Sequence, residues 1–214
     1  MSPLASAPVA AFAGSADPSA PLVVLLHGRG SDETGILPLA SVLPSQASYA
    51  ALRAPIAEGG GYAWFANHGI GRPRPESLRK TMDWFSAWLS GIAADRPVVL
   101  VGFSGGAAFA GGLILDDPSR YAGAAILYGT VPFDAGVPVT PGRLAGTKVM
   151  VAQGERDAVM PPQLMSRTWE YLVTASGAEV TAVRDPGGHA ISQAAAIRLG
   201  AWITEVTGIG ATTS

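Results

Sequence analysis

The chain has 214 residues, a formal net charge of −2, 14% charged and 48% hydrophobic residues, and no cysteine. That composition is globular and long enough for one full core. It excludes a disulfide framework, a thiolate nucleophile and a cysteine-based metal site, and it offers no basic footprint for nucleic acid.

The first twenty residues are rich in alanine but hold no Lys or Arg, the first in the chain being Arg29, and Pro3 and Pro8 break the apolar run. A secretory leader needs a basic start and an unbroken apolar stretch, so this segment reads as mature chain and the expected location is cytoplasmic. No stretch approaches the roughly 18 uninterrupted apolar residues of a membrane helix. VAAFAG at 9–14 is expected to pair antiparallel with 22–27 through the ADPSAP turn. PLVVLLHG at 21–28, PVVLVGF at 97–103, GAAILYG at 123–129 and TKVMVAQG at 147–154 are short apolar runs ending near glycine. Such runs, apolar on both faces, predict strands buried in a parallel sheet. SYAALRAP at 48–55 is a weaker strand, and AEVTAVRD at 178–185 alternates as a strand nearer an edge does. Between them, helical spacing predicts helices over 75–95, 162–176 and 191–206, and a small-residue helix after Ser104. Trp84 and Trp88 read as core positions on the first of these. The glycine-containing tail, 207–214, has little to bury and is expected to be flexible. Strands alternating with helices predict a single α/β domain over 1–214, with a mostly parallel central sheet flanked by helices. In such sheets sites form at the carboxyl ends of strands.

Gly102-Phe103-Ser104-Gly105-Gly106 is a G-x-S-x-G pattern between a predicted strand and a predicted helix. The turn must be so tight that side chains two positions either side of the serine would collide, which calls for glycine at 102 and 106. The serine then stands at a helix N-terminus, where backbone N–H groups can stabilise an oxyanion. A serine hydroxyl needs a base to act as a nucleophile. Of the three histidines, His27, His68 and His189, only His189 follows Ser104, and on this kind of sheet the chain order is nucleophile, acid, base. The acid is expected between them, in GERDAVMPP at 154–162, which offers Glu155 and Asp157; we take Asp157 to orient the imidazole. The loop His27-Gly28-Arg29-Gly30 is assigned one oxyanion donor, the Arg29 N–H, and Gly105 N–H the other. His27 is then structural. Read instead as a phosphate-binding turn, Gly28-Arg29-Gly30 lacks both the G-x-G-x-x-G spacing and the P-loop lysine. No histidine pair has metal-ligand spacing, and no cofactor fingerprint is present.

These stretches resemble the phospholipase/carboxylesterase family of α/β-hydrolases, which includes the acyl-protein thioesterases and small bacterial carboxylesterases. The resemblance lies in PLVVLLHGRGSDE at 21–33, RAPIAEGGGYAWF at 53–65, VVLVGFSGG at 98–106, GERDAVMPP at 154–162 and GGHAI at 187–191. It implies an α/β-hydrolase fold without a large lid, a Ser104–His189–Asp157 triad with Asp157 rather than Glu155 as the acid, and hydrolysis of carboxylic ester or thioester bonds of small to medium acyl groups. It also implies a pocket lined by the stretch after Arg53, with Trp64 and Phe65 in its wall; Met160, close after Asp157, is a further pocket candidate. Two positions depart from the family pattern. Gly105 stands where Gln is usual, which removes a side-chain contact. Arg29 stands where a small or apolar residue is usual, a cation expected to favour anionic or polar substrates. The same triad also suits a lactone, amide or C–C bond, and a broken triad would mark a binding protein on this scaffold. The loops near 59–65 are expected to expose apolar surface suited to a homodimer.

Overall fold

A computed structural model of the protein describes residues 7–93 and 95–210. In chain order the elements are β1 (Ala10–Gly14), β2 (Leu22–Leu26), α1 (Glu33–Ile36), a 3-10 turn (Leu37–Val42) and β3 (Ser48–Leu52). Two hairpins follow, β4 (Ile56–Glu58) with β5 (Gly61–Ala63) and β6 (Asn67–Gly69) with β7 (Arg72–Pro73). Then come α2 (Pro75–Ile92), β8 (Val98–Phe103), α3 (Gly105–Asp116), a 3-10 turn (Pro118–Arg120), β9 (Gly123–Leu127) and β10 (Lys148–Gly154). The chain ends with α4 (Pro162–Glu170), a π-turn (Tyr171–Ala175), β11 (Glu179–Asp185) and α5 (Gln193–Thr207).

Seven strands form one sheet in the order β1-β3-β2-β8-β9-β10-β11. Every neighbouring pair is parallel except β1 with β3. The continuous apolar runs explain this arrangement. Every residue of β2 and β9 is buried, so both faces need cover. Alternate residues feed two cores: Val24, Leu100 and Ile126 meet Leu78, Phe85 and Phe109 of α2 and α3, while Val23, Val101 and Met150 meet Leu199 and Trp202 of α5.

One expected pairing is corrected. β1 does not pair with β2 but runs antiparallel to β3, Phe12 opposite Ala50. β2 already has a parallel neighbour on each edge, and ADPSAP is a connection rather than a hairpin turn. The less apolar strand takes the edge, where Phe12 is 66% exposed. The weak 48–55 candidate is therefore an interior strand. β11 does lie at the other edge. The helix expected over 162–176 is α4 followed by the π-turn, and Gly208 ends α5 in a left-handed conformation (φ 69°). Residues 211–214 of the expected tail and 1–6 of the N-terminus lie outside the described residues. The hairpins between β3 and α2 had no clear alternation to announce them. They are short and stand over the carboxyl ends of the strands; among the described residues no separate lid domain is formed. Of the 59–65 stretch expected to be exposed, Ala63, Trp64 and Phe65 are buried. Among the described residues no helix is long and apolar enough to cross a membrane.

Candidate active site

The turn from β8 into α3 sets the geometry. Ser104 has φ 54° and ψ −114°, a conformation that costs a non-glycine residue about 1–3 kcal/mol. Its neighbours show what enforces it. A Cβ on Gly102 would sit 2.2 Å from Gly106 O, and one on Gly106 would sit 2.1 Å from Leu26 O. Only glycine fits at either position. The Ser104 N–H donates to Leu127 O at 2.9 Å, which ties the turn to β9.

His189 lies in the loop between β11 and α5. Its Nε2 is 2.9 Å from Ser104 Oγ and its Nδ1 is 2.7 Å from Asp157 Oδ2. The Asp157 side chain is 2% exposed. Its other oxygen accepts the N–H groups of Val159 and Met160. Burial pushes the Asp157 carboxyl up, but the His189 bond and these two N–H donors outweigh it and hold the group below the usual carboxylate range. An ionised carboxylate can only accept, so Nδ1 carries the imidazole proton and Nε2 is left to accept the Ser104 hydroxyl. Glu155, the other acid of that loop, is exposed. The structure thus brings Ser104, His189 and Asp157 into one hydrogen-bonded chain.

His27 stands apart from that chain. It is 1% exposed, its Nδ1 bonds Gly28 O at 2.7 Å and its Nε2 accepts the Ala54 N–H at 3.0 Å. Both nitrogens are used inside the protein, and burial lowers its pKa. Trp64 Nε1 donates to His27 O. Trp64, expected in the pocket wall, is instead core: it is 1% exposed and stacks on Phe109 at 4.7 Å. His68 is exposed on β6.

The two expected oxyanion donors lie side by side. Gly105 begins α3, so its N–H has no intrahelical acceptor. In the facing loop, Gly30 N–H goes to Tyr62 O and Ser31 N–H to Gly28 O, whereas no acceptor meets the Arg29 N–H among the described residues. A Cβ on Gly105 would lie 3.3 Å from Arg29 N. Glycine there lets the Arg29 loop close onto the serine turn. The Arg29 guanidinium bonds the Glu58 carboxylate and the Phe65 carbonyl. That cation, expected to attract anionic substrates, is already paired within the wall.

A cavity of about 440 Å³ opens over Ser104 and His189. Phe65 and Met160 line it, as expected; Asn67, Ile70, Phe103 and Val159 do so unexpectedly. Ile70 and Val159 are about half exposed at its mouth. Ile70 and Val159 are single apolar residues in loops and carry no periodicity to announce them, while Asn67 and Phe103 stand on strands with nothing in their spacing to mark a pocket wall. Among the described residues no group of three His, Asp or Glu side chains is placed to hold a metal ion.

A parallel sheet with a strained serine at the carboxyl end of a central strand, facing a histidine and an aspartate, defines the α/β-hydrolase class. The phospholipase/carboxylesterase family profile matches residues 8–203. Among solved structures, the carboxylesterase of Bacillus cereus is 27% identical with a TM-score of 0.81, covering 93% of this chain and 94% of that one. The carboxylesterase of Mesorhizobium loti is 30% identical with a TM-score of 0.74, covering 86% and 88%. A phospholipase/carboxylesterase of Dyadobacter fermentans, 22% identical with a TM-score of 0.72 over 94% and 97%, shares the fold. No curated protein sequence matches significantly. The chain belongs to the phospholipase/carboxylesterase family, and it is a hydrolase of ester bonds.

Proposed function

We propose that the protein cleaves carboxylic ester or thioester bonds of small to medium acyl groups through an acyl-enzyme. Ser104 Oγ attacks the acyl carbon while His189 Nε2 takes its proton. Asp157 holds the ring in the required tautomer and stabilises the imidazolium. The N–H groups of Arg29 and Gly105 hold the developing oxyanion. The imidazolium then protonates the leaving alcohol or thiol. Water deprotonated by His189 attacks the acyl-enzyme, releasing the acid and restoring the serine. The reading rests on one observation, the unbroken chain from Ser104 through His189 to Asp157 at 2.9 and 2.7 Å.

The test is hydrolysis of p-nitrophenyl esters from acetate to palmitate, with Ser104→Ala as control. Turnover is expected to peak at the short end and to fall by roughly 10⁴–10⁶-fold in the variant. Retained hydrolysis by Ser104→Ala would remove the serine from the chemistry.

A further inference from the structure

His189 sits on a loop that has reason to wander. Residues 186–191 include Gly187 and Gly188, and glycines lose more freedom on ordering than other residues. Yet the imidazole meets two partners at once. What fixes it lies beneath the site. Asp185, the last residue of β11, is 6% exposed, and its carboxylate is met by three donors. Gly187 N–H reaches Oδ1 at 2.8 Å; Ser192 Oγ reaches Oδ2 at 2.9 Å; the Tyr128 hydroxyl reaches Oδ2 as well. Ser192 caps α5, accepting the Ala195 N–H, and its own N–H donates to Tyr128 OH at 3.2 Å. Both ends of the histidine loop are therefore tied to one carboxylate and one phenol.

Tyr128 reaches further. It is fully buried and has φ 48°, a strained value for a bulky residue that persists only where the surroundings over-determine it. Its N–H donates to Ala152 O at 2.8 Å, on the strand that leads to Asp157. The residue before it, Leu127, accepts the Ser104 N–H. The end of β9 thus touches the arms carrying the serine, the aspartate and the histidine.

We propose that Tyr128, Asp185 and Ser192 form a brace beneath the site whose role in the reaction is to position His189 between Ser104 and Asp157. None of the three touches substrate; they are positioning residues. The idea rests on the esterase reading for its kinetic consequences, but the placement of the ring is testable without it. A buried carboxylate saturated by donors holds one geometry, since each alternative leaves a charge or a donor unpaired. Misplacing a catalytic group by about 1 Å can cost on the order of 10²-fold in rate.

The experiment compares the full chain with Tyr128→Phe, Asp185→Asn and Ser192→Ala, and with Tyr49→Phe as control. Tyr49 is another buried tyrosine, its hydroxyl 2.7 Å from Pro44 O and away from the cavity. Steady-state hydrolysis of p-nitrophenyl butyrate, Tm, and the low-field proton signal of His189 Nδ1–H are read for each. Tyr128→Phe is expected to lower kcat on the order of 10- to 100-fold, with KM changed by less than about two-fold and the Nδ1–H signal shifted or broadened. Tyr49→Phe is expected to lower Tm while leaving kcat and the signal unchanged. Tyr128→Phe behaving like Tyr49→Phe would overturn the brace. If Tyr128→Phe does not fold, Ser192→Ala, which removes one donor nearer the surface, decides by the same readouts. If the parent protein hydrolyses no ester, the esterase reading fails, and the Nδ1–H signal alone still decides the brace.

Discussion

Two loops converge on Ser104, and they are held in different ways. The His189 loop is tied from below, by a buried carboxylate and a buried phenol. The tip of the Arg29 loop is tied from the rim, by a guanidinium 29% exposed and a glutamate 46% exposed. The stem of that loop is buried, held by His27 and Trp64. The difference follows the task each loop has under the proposed reaction. An imidazole must be aimed at two atoms and gains nothing from moving. The Arg29 tip forms the cavity wall with Phe65, where substrate must enter, and a solvent-screened pair there contributes little to stability.

The largest effect is expected where the two arrangements share a foundation. Gly106 packs against Leu26 O and His27 O, the start of the Arg29 loop, in the first turn of α3 behind Ser104. A methyl group there would meet backbone at 2.1 Å, so Gly106→Ala is expected to cost about 3–5 kcal/mol, the upper range for one substitution. Denaturant unfolding measures it. Gly105→Ala separates position from packing: its Cβ would stand 3.3 Å from Arg29 N, a tight but tolerable contact. That variant is expected to keep a Tm near the parent while losing rate, because the methyl crowds the proposed oxyanion site. Equal losses of stability in the two variants would mean that the Arg29 loop is packed too closely on the turn to admit a methyl group.

The sequence made the buried parts of this comparison visible and hid most of the braces. Apolar runs ending in glycine announced β2, β8, β9 and β10, because strands covered on both faces have no polar positions to blur the signal. The glycines at 102 and 106 announced the serine turn for a steric reason, since a Cβ at either position would meet backbone. Asp185 and Tyr128 were not announced. Each stands at the end of a strand, where a polar residue reads as a boundary, and they meet only because β9 and β11 flank β10 in the sheet. The Arg29–Glu58 pair was hidden likewise, since the hairpin that carries Glu58 has three-residue strands too short to show alternation. The family resemblance placed Trp64 in the pocket wall beside Phe65, whereas its indole is held inward by His27 O.

A smaller effect tests the stem of the Arg29 loop. His27 is buried and neutral, with a pKa below its ordinary 6.5. The unfolded chain therefore binds a proton more readily than the folded one. The stability it contributes is present above pH 6.5 and is lost as pH falls from there toward the depressed folded value. Asp157 and Asp185 are also depressed, from 3.8, so their contribution is lost only at lower pH. Tm is expected to decline as pH falls below about 6.5, at roughly 2–4 °C per kcal/mol for a chain of this size. His27→Gln, which keeps a donor and an acceptor but cannot titrate, should flatten that decline. An unchanged slope in the variant would place the responsible proton elsewhere.

The smallest effect bears most directly on the contrast between rim and interior. Glu58→Gln keeps an acceptor for Arg29 but removes the charge. An exposed pair is worth about 0–1 kcal/mol, so Tm is expected to move by less than about 4 °C. The rate should fall no more than a few-fold, with the Phe65 carbonyl still holding the other arm of the guanidinium. High salt should act on the parent as the substitution does, since exposed charges are screened within about 3 Å at 1 M. Loss of kcat in Glu58→Gln as large as in Tyr128→Phe, at unchanged Tm, would reverse the comparison. The rim pair would then position the Arg29 N–H as firmly as the buried carboxylate positions His189, and exposure would be no guide to which contacts set the rate.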